Sequence, residues 1–168
     1  GHYYEDDDGS MSEGAVVWSY TKPTLIWEGD VSDRWDQQQN WDPEGLPDVN
    51  SIVIINPGIS FDPVIDLNLS NDTAYAKKLT INESASLTIG DDKNMVVLED
   101  LTNNGTFDVT NGSVSIIQIG ASWANGGTFN HGGSSTVAFT SEANMDINTG
   151  GQSFYNLTLN SGEGTGTA

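Results

Sequence analysis

The chain has 168 residues, with 24 acidic side chains against five basic ones, a formal net charge of −19 and no cysteine. So few cations exclude a phosphate-neutralising nucleic-acid interface and disfavour an anionic membrane surface. The missing cysteines remove disulfide frameworks, thiolate zinc sites and cysteine nucleophiles. Glycine, serine, threonine and asparagine make up 67 of the residues, while threonine, valine and isoleucine fall in short runs. That mixture predicts an all-β chain with many Asn/Gly turns. No run reaches the ~18 apolar residues of a membrane span, so membrane insertion is not expected. Gly1 opens neither a charged nor an apolar leader, and the expectation is a secreted protein whose signal peptide has been removed.

In chain order, residues 1–26 read as an acidic extension. Glu5, Asp6, Asp7 and Asp8 repel one another, which predicts a solvated open tail over residues 1–13. Asp6, Asp8 and Gly9 half match the spacing of a calcium loop, so a cation site at Asp6 and Asp8 stands as the alternative. Residues 15–20 (AVVWSY) and 24–27 (TLIW) predict two strands. Either both belong to the core of the domain or its edge, or residues 14–26 form an arm. Such an arm adds a strand to a neighbouring subunit through Val16, Val17, Trp18 and Tyr20, using main-chain hydrogen bonds and pockets for alternate side chains.

Residues 27–58 carry the most specific local pattern. Trp27, Gly29, Trp35, Asn40, Trp41, Gly45 and Pro47 lead into the apolar run Ile52-Val53-Ile54-Ile55. Asn40 and the stretch from Pro43 to Pro47 suit tight turns. The tryptophans either cover the open end of a stack of strands or present a sugar-binding platform, with Trp35 and Trp41 as its rings. Asp30, Asp33 and Asp36 fall three apart, so a metal site at Asp30 and Asp33 is weighed against solvated loop acids.

Residues 59–168 repeat. Asn103-Asn104-Gly105-Thr106-Phe107 returns as Asn125-Gly126-Gly127-Thr128-Phe129, and Lys78-Leu79-Thr80-Ile81-Asn82 is echoed by Asn156-Leu157-Thr158-Leu159-Asn160. A period of roughly 20–25 residues in strand-rich sequence indicates a solenoid. Apolar residues alternate at Leu79/Ile81, Leu87/Ile89 and Leu157/Leu159, placing one face of each strand inward. The fold expected is a right-handed parallel β-helix with a Trp-rich N-terminal cap; a β-sandwich is the alternative.

The Trp frame resembles the opening motif of bacterial secreted and cell-surface repeat proteins, a W-x-G…W…N-W…G-x-P…V-x-I pattern ahead of a β-solenoid. The stretch from LTNNGTF to FYNLTL resembles the rungs of the same proteins, so the resemblance covers residues 27–159. It implies an extracellular scaffold and says little about activity, because such proteins share an architecture rather than a chemistry.

Function is narrowed mainly by what is missing. No G-x-S-x-G, phosphate loop, H-E-x-x-H or dinucleotide fingerprint occurs. His2 and His131 are the only histidines, and His131 sits in an Asn-His-Gly-Gly turn. A β-helix lyase needs cations against a uronate, and residues 94–168 contain no Lys or Arg. A hydrolase needs two spaced carboxylates, and nothing singles out Asp66, Asp72 or the Asp91-Asp92 pair. The expectation is a non-enzymatic structural subunit of an extracellular assembly, with the chain itself as partner and calcium as a screening ion. Val16, Val17, Trp18, Tyr20, Leu157 and Leu159 are the expected subunit contacts. A glycan-binding adhesin module, with extracellular glycans as partner, is the alternative. Asn68, Asn71, Asn82, Asn104, Asn111 and Asn156 begin N-x-S/T triplets and are candidate glycosylation sites. The sequence stops soon after the strand at 156–159, so the expectation is either a longer protein or an open end that meets another subunit.

Overall fold

The computed structural model of the chain describes residues 4–5, 11–12, 24–66, 72–110, 112, 114–141 and 144–160. Strands β1 (Tyr4–Glu5) and β2 (Met11–Ser12) pair antiparallel. The expected open tail is thus corrected in part: main-chain pairing brings its two halves together despite the acids between them.

The solenoid begins with β3 (Thr24–Trp27), a 3-10 turn at Gln38–Asn40 and β4 (Trp41–Asp42). Four three-stranded turns follow. They comprise β5 (Ile52–Ile55), β6 (Val64–Ile65) and β7 (Thr73–Ala76); then β8 (Lys78–Ile81), β9 (Ser86–Ile89) and β10 (Asn94–Val97). Next come β11 (Leu101–Asn103), β12 (Thr106–Val109) and β13 (Ile116–Ile119); then β14 (Trp123–Asn125), β15 (Thr128–Asn130) and β16 (Thr136–Phe139). A partial fifth turn holds only β17 (Ile147–Asn148) and β18 (Asn156–Leu159).

Three sheets run along the stack. The first is β4-β3-β5-β8-β11-β14-β17, the second β6-β9-β12-β15 and the third β7-β10-β13-β16-β18. Every neighbour in them is parallel except β3 with β4. Parallel pairing between strands a full turn apart makes this a β-solenoid and removes the sandwich alternative. Because β3 pairs with β5, residues 24–26 belong to the solenoid rather than to a free arm.

The period-two burial pattern builds the core. Leu25, Val53, Leu79, Leu101 and Trp123 form one inward column, and Ala74, Met95, Ile117 and Val137 another. Each fully buried aliphatic side chain contributes about 1.5–3 kcal/mol, so the columns hold the turns together. The repeated Asn-Gly corners have a packing cause. A Cβ at Gly105 would run into the carbonyl oxygens of Ala85 and Asn82, and one at Gly127 into that of Gly105. The chain therefore needs glycine where one corner passes over the last.

Candidate functional site

The two ends of the stack differ, and this difference is the candidate site. At the front, β4 runs antiparallel along β3 and covers the outer edge of the first sheet. Trp27, Trp35 and Trp41 are all buried. Their rings meet edge to face, Trp27 with Trp41 at 4.9 Å and Trp35 with Trp41 at 4.8 Å. The indole N–H of Trp27 donates to the Phe61 carbonyl at 2.7 Å, and that of Trp41 to the Trp35 carbonyl at 3.0 Å.

Asn40 ties the covering loop down. Its Oδ1 accepts from the Val31 and Ser32 amides at 3.0 and 3.1 Å, and its Nδ2 donates to the Arg34 carbonyl at 3.0 Å. The loop also lengthens the second sheet. Trp35 N donates to Val64 O at 3.1 Å and Val64 N to Asp33 O at 2.7 Å. The front motif is a cap. The sugar platform expected from Trp35 and Trp41 is corrected, because both rings are spent on the core and neither presents a face to a ligand.

The back end is open on one side. Leu157 stands opposite Val137 and Leu159 opposite Phe139. Val137 and Phe139 are buried, so Leu157 and Leu159 occupy inward register. Yet they are 49% and 57% exposed, because no described strand lies beyond β18. Tyr155, just before β18, and Ile147, on the last strand of the first sheet, are exposed as well. The second sheet stops one turn earlier, at β15. There the Phe129 amide donates to the Gln152 side-chain oxygen at 3.4 Å, where a next strand would otherwise pair. Phe154 closes this side from above, edge-on to Trp123 at 5.3 Å and to Phe129 at 5.9 Å. His131 accepts a hydrogen bond at Nδ1 from the Gly133 amide at 3.1 Å, holding the turn, and its ring lies against Tyr155 at 5.6 Å.

Sequence reasoning missed an internal amide ladder. Asn103 and Asn125 are buried, and Asn103 Nδ2 donates to Asn125 Oδ1 at 2.7 Å and to Thr128 O at 2.8 Å. Asn125 Nδ2 in turn donates to Thr149 O at 3.0 Å. The ladder starts at Asn103 because Ile81 stands opposite it in the turn before. Asn103 Oδ1 consequently has no partner.

The charges lie toward the front. Lys78 bridges Asp100 at 2.8 Å and Glu99 at 3.4 Å, Lys93 meets Asp72 at 2.7 Å, and Arg34 meets Asp36 at 2.8 Å. The hydrogen bond from Lys78 holds the Asp100 carboxyl below the usual carboxylate range. Burial, reinforced by the charge of Asp33, pushes Asp66 above it.

The expected metal ligands are not assembled by the described residues. Asp30 and Asp33 join no group of three or more His, Asp or Glu able to hold a metal there. Asp6 and Asp8 lie outside the described residues, as do Val16, Val17, Trp18 and Tyr20 and the sequon residues Asn68, Asn71 and Asn111. Asn104 is exposed at a corner and Asn156 is exposed at the start of β18; Asn82 is half-buried and donates from Nδ2 to Asn56 Oδ1 at 2.7 Å. Among the described residues no helix is long and apolar enough to cross a membrane.

Residues 26–154 match a domain of unknown function, DUF8693. The match runs from within β3 to Phe154 and stops short of β18. No curated protein and no solved structure matches the chain.

Proposed function

The chain belongs to the DUF8693 family, and we propose that it is a non-enzymatic structural subunit that associates end to end into an extracellular filament, sheath or layer. One observation carries the reading. The front of the solenoid is sealed by its tryptophans, whereas the back presents Leu157 and Leu159 in core register with the outer edge of β18 unpaired by any described strand. Exposed main-chain donors and acceptors beside an apolar surface are a template for further strands. A contact between unlike ends is heterologous and propagates into an open polymer.

The resemblance of the front motif to secreted and cell-surface repeat proteins supports the extracellular setting. The formal charge of −19 makes subunits repel, so calcium or salt lowers the barrier to association. A scaffolding role also suits His131, whose ring holds its own turn and packs on Tyr155.

Sedimentation and negative-stain microscopy of the purified chain, with and without millimolar calcium, test the reading. Concentration-dependent rods or sheets are expected, and Leu157→Asp with Leu159→Asp should abolish them while leaving the circular-dichroism spectrum unchanged. A monodisperse monomer at every protein and calcium concentration overturns the proposal.

A further inference from the structure

Independently of the end-to-end reading, we infer that the corner between the first and second sheets is a binding groove for a neutral, extended glycan. The corner recurs in every turn. Ile55, Ile81, Asn103 and Asn125 stand in register at the ends of β5, β8, β11 and β14. The residues that follow them, Asn56, Asn82, Asn104 and Gly126, therefore form a column along the stack. With Pro57 and Glu83 they line an open groove of about 550 Å³.

The groove is preformed. Asn82 N donates to Ile55 O at 3.0 Å, Asn104 N to Ile81 O at 2.8 Å and Gly126 N to Asn103 O at 2.7 Å. A ligand that meets such fixed corners orders little of the protein when it binds. Successive turns are about 4.8 Å apart, the spacing of paired strands, which is close to the rise of one pyranose unit in an extended glycan. A sugar chain laid along the axis meets one amide per unit at Asn56, Asn82 and Asn104.

The chemistry of the lining fits hydroxyls. Asn82 Nδ2 donates to Asn56 Oδ1, which uses one donor and one acceptor of that pair. Asn56 Nδ2, Asn82 Oδ1 and the exposed Asn104 amide have no other partner among the described residues. A side-chain amide both donates and accepts, as a sugar hydroxyl does. Pro57 adds an aliphatic ring for the C–H face of a sugar. Gly126 keeps the groove open, because a Cβ there would lie 3.0 Å from Asn104 Oδ1. Beside the corner, Ser86, Thr106 and Thr128 stand in register on the second sheet and continue the neutral polar surface.

Charge selects the ligand class. Glu83 is the one ionisable group in the lining, on a chain of formal charge −19. An anionic polysaccharide is repelled by that field. A neutral glycan is not, and it needs no counter-charge from the groove.

Titration of the isotope-labelled chain with cellotetraose and with chitotetraose, followed through backbone amide shifts, tests the assignment. Saturable shifts centred on Asn82, Asn104 and Gly126 are expected with at least one of the two sugars. Asn104→Ala, at an exposed side chain, should weaken binding by about fivefold, the loss of one hydrogen bond. Gly126→Leu, which fills the groove, should abolish it. Gln118→Ala, on the outer face of β13, should leave it unchanged. No saturable shift at those amides with either sugar overturns the inference, and so does undiminished affinity in both Asn104→Ala and Gly126→Leu. Equally tight binding of tetragalacturonate, an anionic chain of the same length, overturns the neutral-glycan assignment. Rod formation is read separately by microscopy, so failure here leaves end-to-end assembly standing.

Discussion

The front and back of this solenoid each carry an aromatic cluster, and the two behave differently. At the front, three buried indoles pack edge to face, and Trp27 and Trp41 donate their N–H groups to the backbone carbonyls of Phe61 and Trp35. At the back, Trp123 packs against Phe129 at 5.0 Å and Phe154 at 5.3 Å, but its indole N–H has no hydrogen-bond partner. Rings fill space at both ends. Only at the front does the loop that supplies the rings also supply main-chain partners and a strand, β4, along the sheet edge. Closing a stack of strands takes satisfied backbone as well as apolar volume, and at the back the third sheet ends on β18 with no described strand along its outer edge.

The sharpest way to break the comparison is to remove one ring from each end. Trp41→Ala opens a cavity between two other tryptophans and should cost about 3–5 kcal/mol. For a chain of this size each kcal/mol lowers the melting temperature by about 2–4 °C, so a fall of roughly 10 °C or more is expected by calorimetry. Phe154→Ala removes a partly exposed ring and should cost less than half as much. Equal losses would show that the back is sealed as tightly as the front.

Phe139 and Leu159 occupy one column, a turn apart. Phe139→Ala, in a buried site, should cost about 3–5 kcal/mol, whereas Leu159→Ala should stay below about 1 kcal/mol in the monomer. Chemical denaturation at low protein concentration measures both. A Leu159→Ala loss that grows with protein concentration would tie the side chain to association.

The interior column that holds Ile55 and Ile81 at the front holds Asn103 and Asn125 at the back. Asn125→Leu should cost about 1–3 kcal/mol, because the Thr149 carbonyl and one donor of Asn103 lose a partner inside the fold. Hydrogen exchange of the amides around Thr149 is the local readout, and unchanged protection there would show that the ladder is not what holds the fifth turn.

The same contrast explains which features were legible in the sequence. The echo of Asn103–Phe107 in Asn125–Phe129 and the alternation at Leu79/Ile81 and Leu157/Leu159 gave the solenoid, because a stacked turn imposes its period on the chain. The Trp frame gave the cap. What it left open was whether Trp35 and Trp41 face inward, since a tryptophan in a loop reads alike on a platform and in a plug. Asn103 and Asn125 looked like turn residues, and only their place at the end of β11 and β14 turns them into the core. The missing second-sheet strand of the fifth turn left one trace, the loss of alternation across Gly150-Gly151-Gln152-Ser153. The β1–β2 pairing was hidden because a charge run speaks to repulsion and not to backbone bonds.

The smallest expected effect is electrostatic and also belongs to the front. Burial and the neighbouring Asp33 raise the Asp66 carboxyl above its ordinary range, so the folded state binds that proton more tightly than the unfolded chain. Ionised Asp66 is therefore a cost to the fold at neutral pH, and the cost is relieved as pH falls through its folded value. Asp100 has the opposite sign. Held low by Lys78, it contributes stability above the ordinary carboxylate range and loses it as pH falls through its own depressed value. That pair is solvent-exposed and salt-screened, so its share is small. Asp66→Asn should accordingly raise the melting temperature at pH 7 by about 1–2 °C, a gain that vanishes near pH 3. Asp100→Asn should lower it slightly at pH 7, and less so in high salt. The back holds four acids and no base across residues 101–168. Acid should therefore not loosen the front around Asp66 first: the amides of β6 should keep their exchange protection as pH falls from 7 through the raised Asp66 value. Loss of β6 protection ahead of β14 and β16 over that range would mean that Asp66 does not set the acid response of the front.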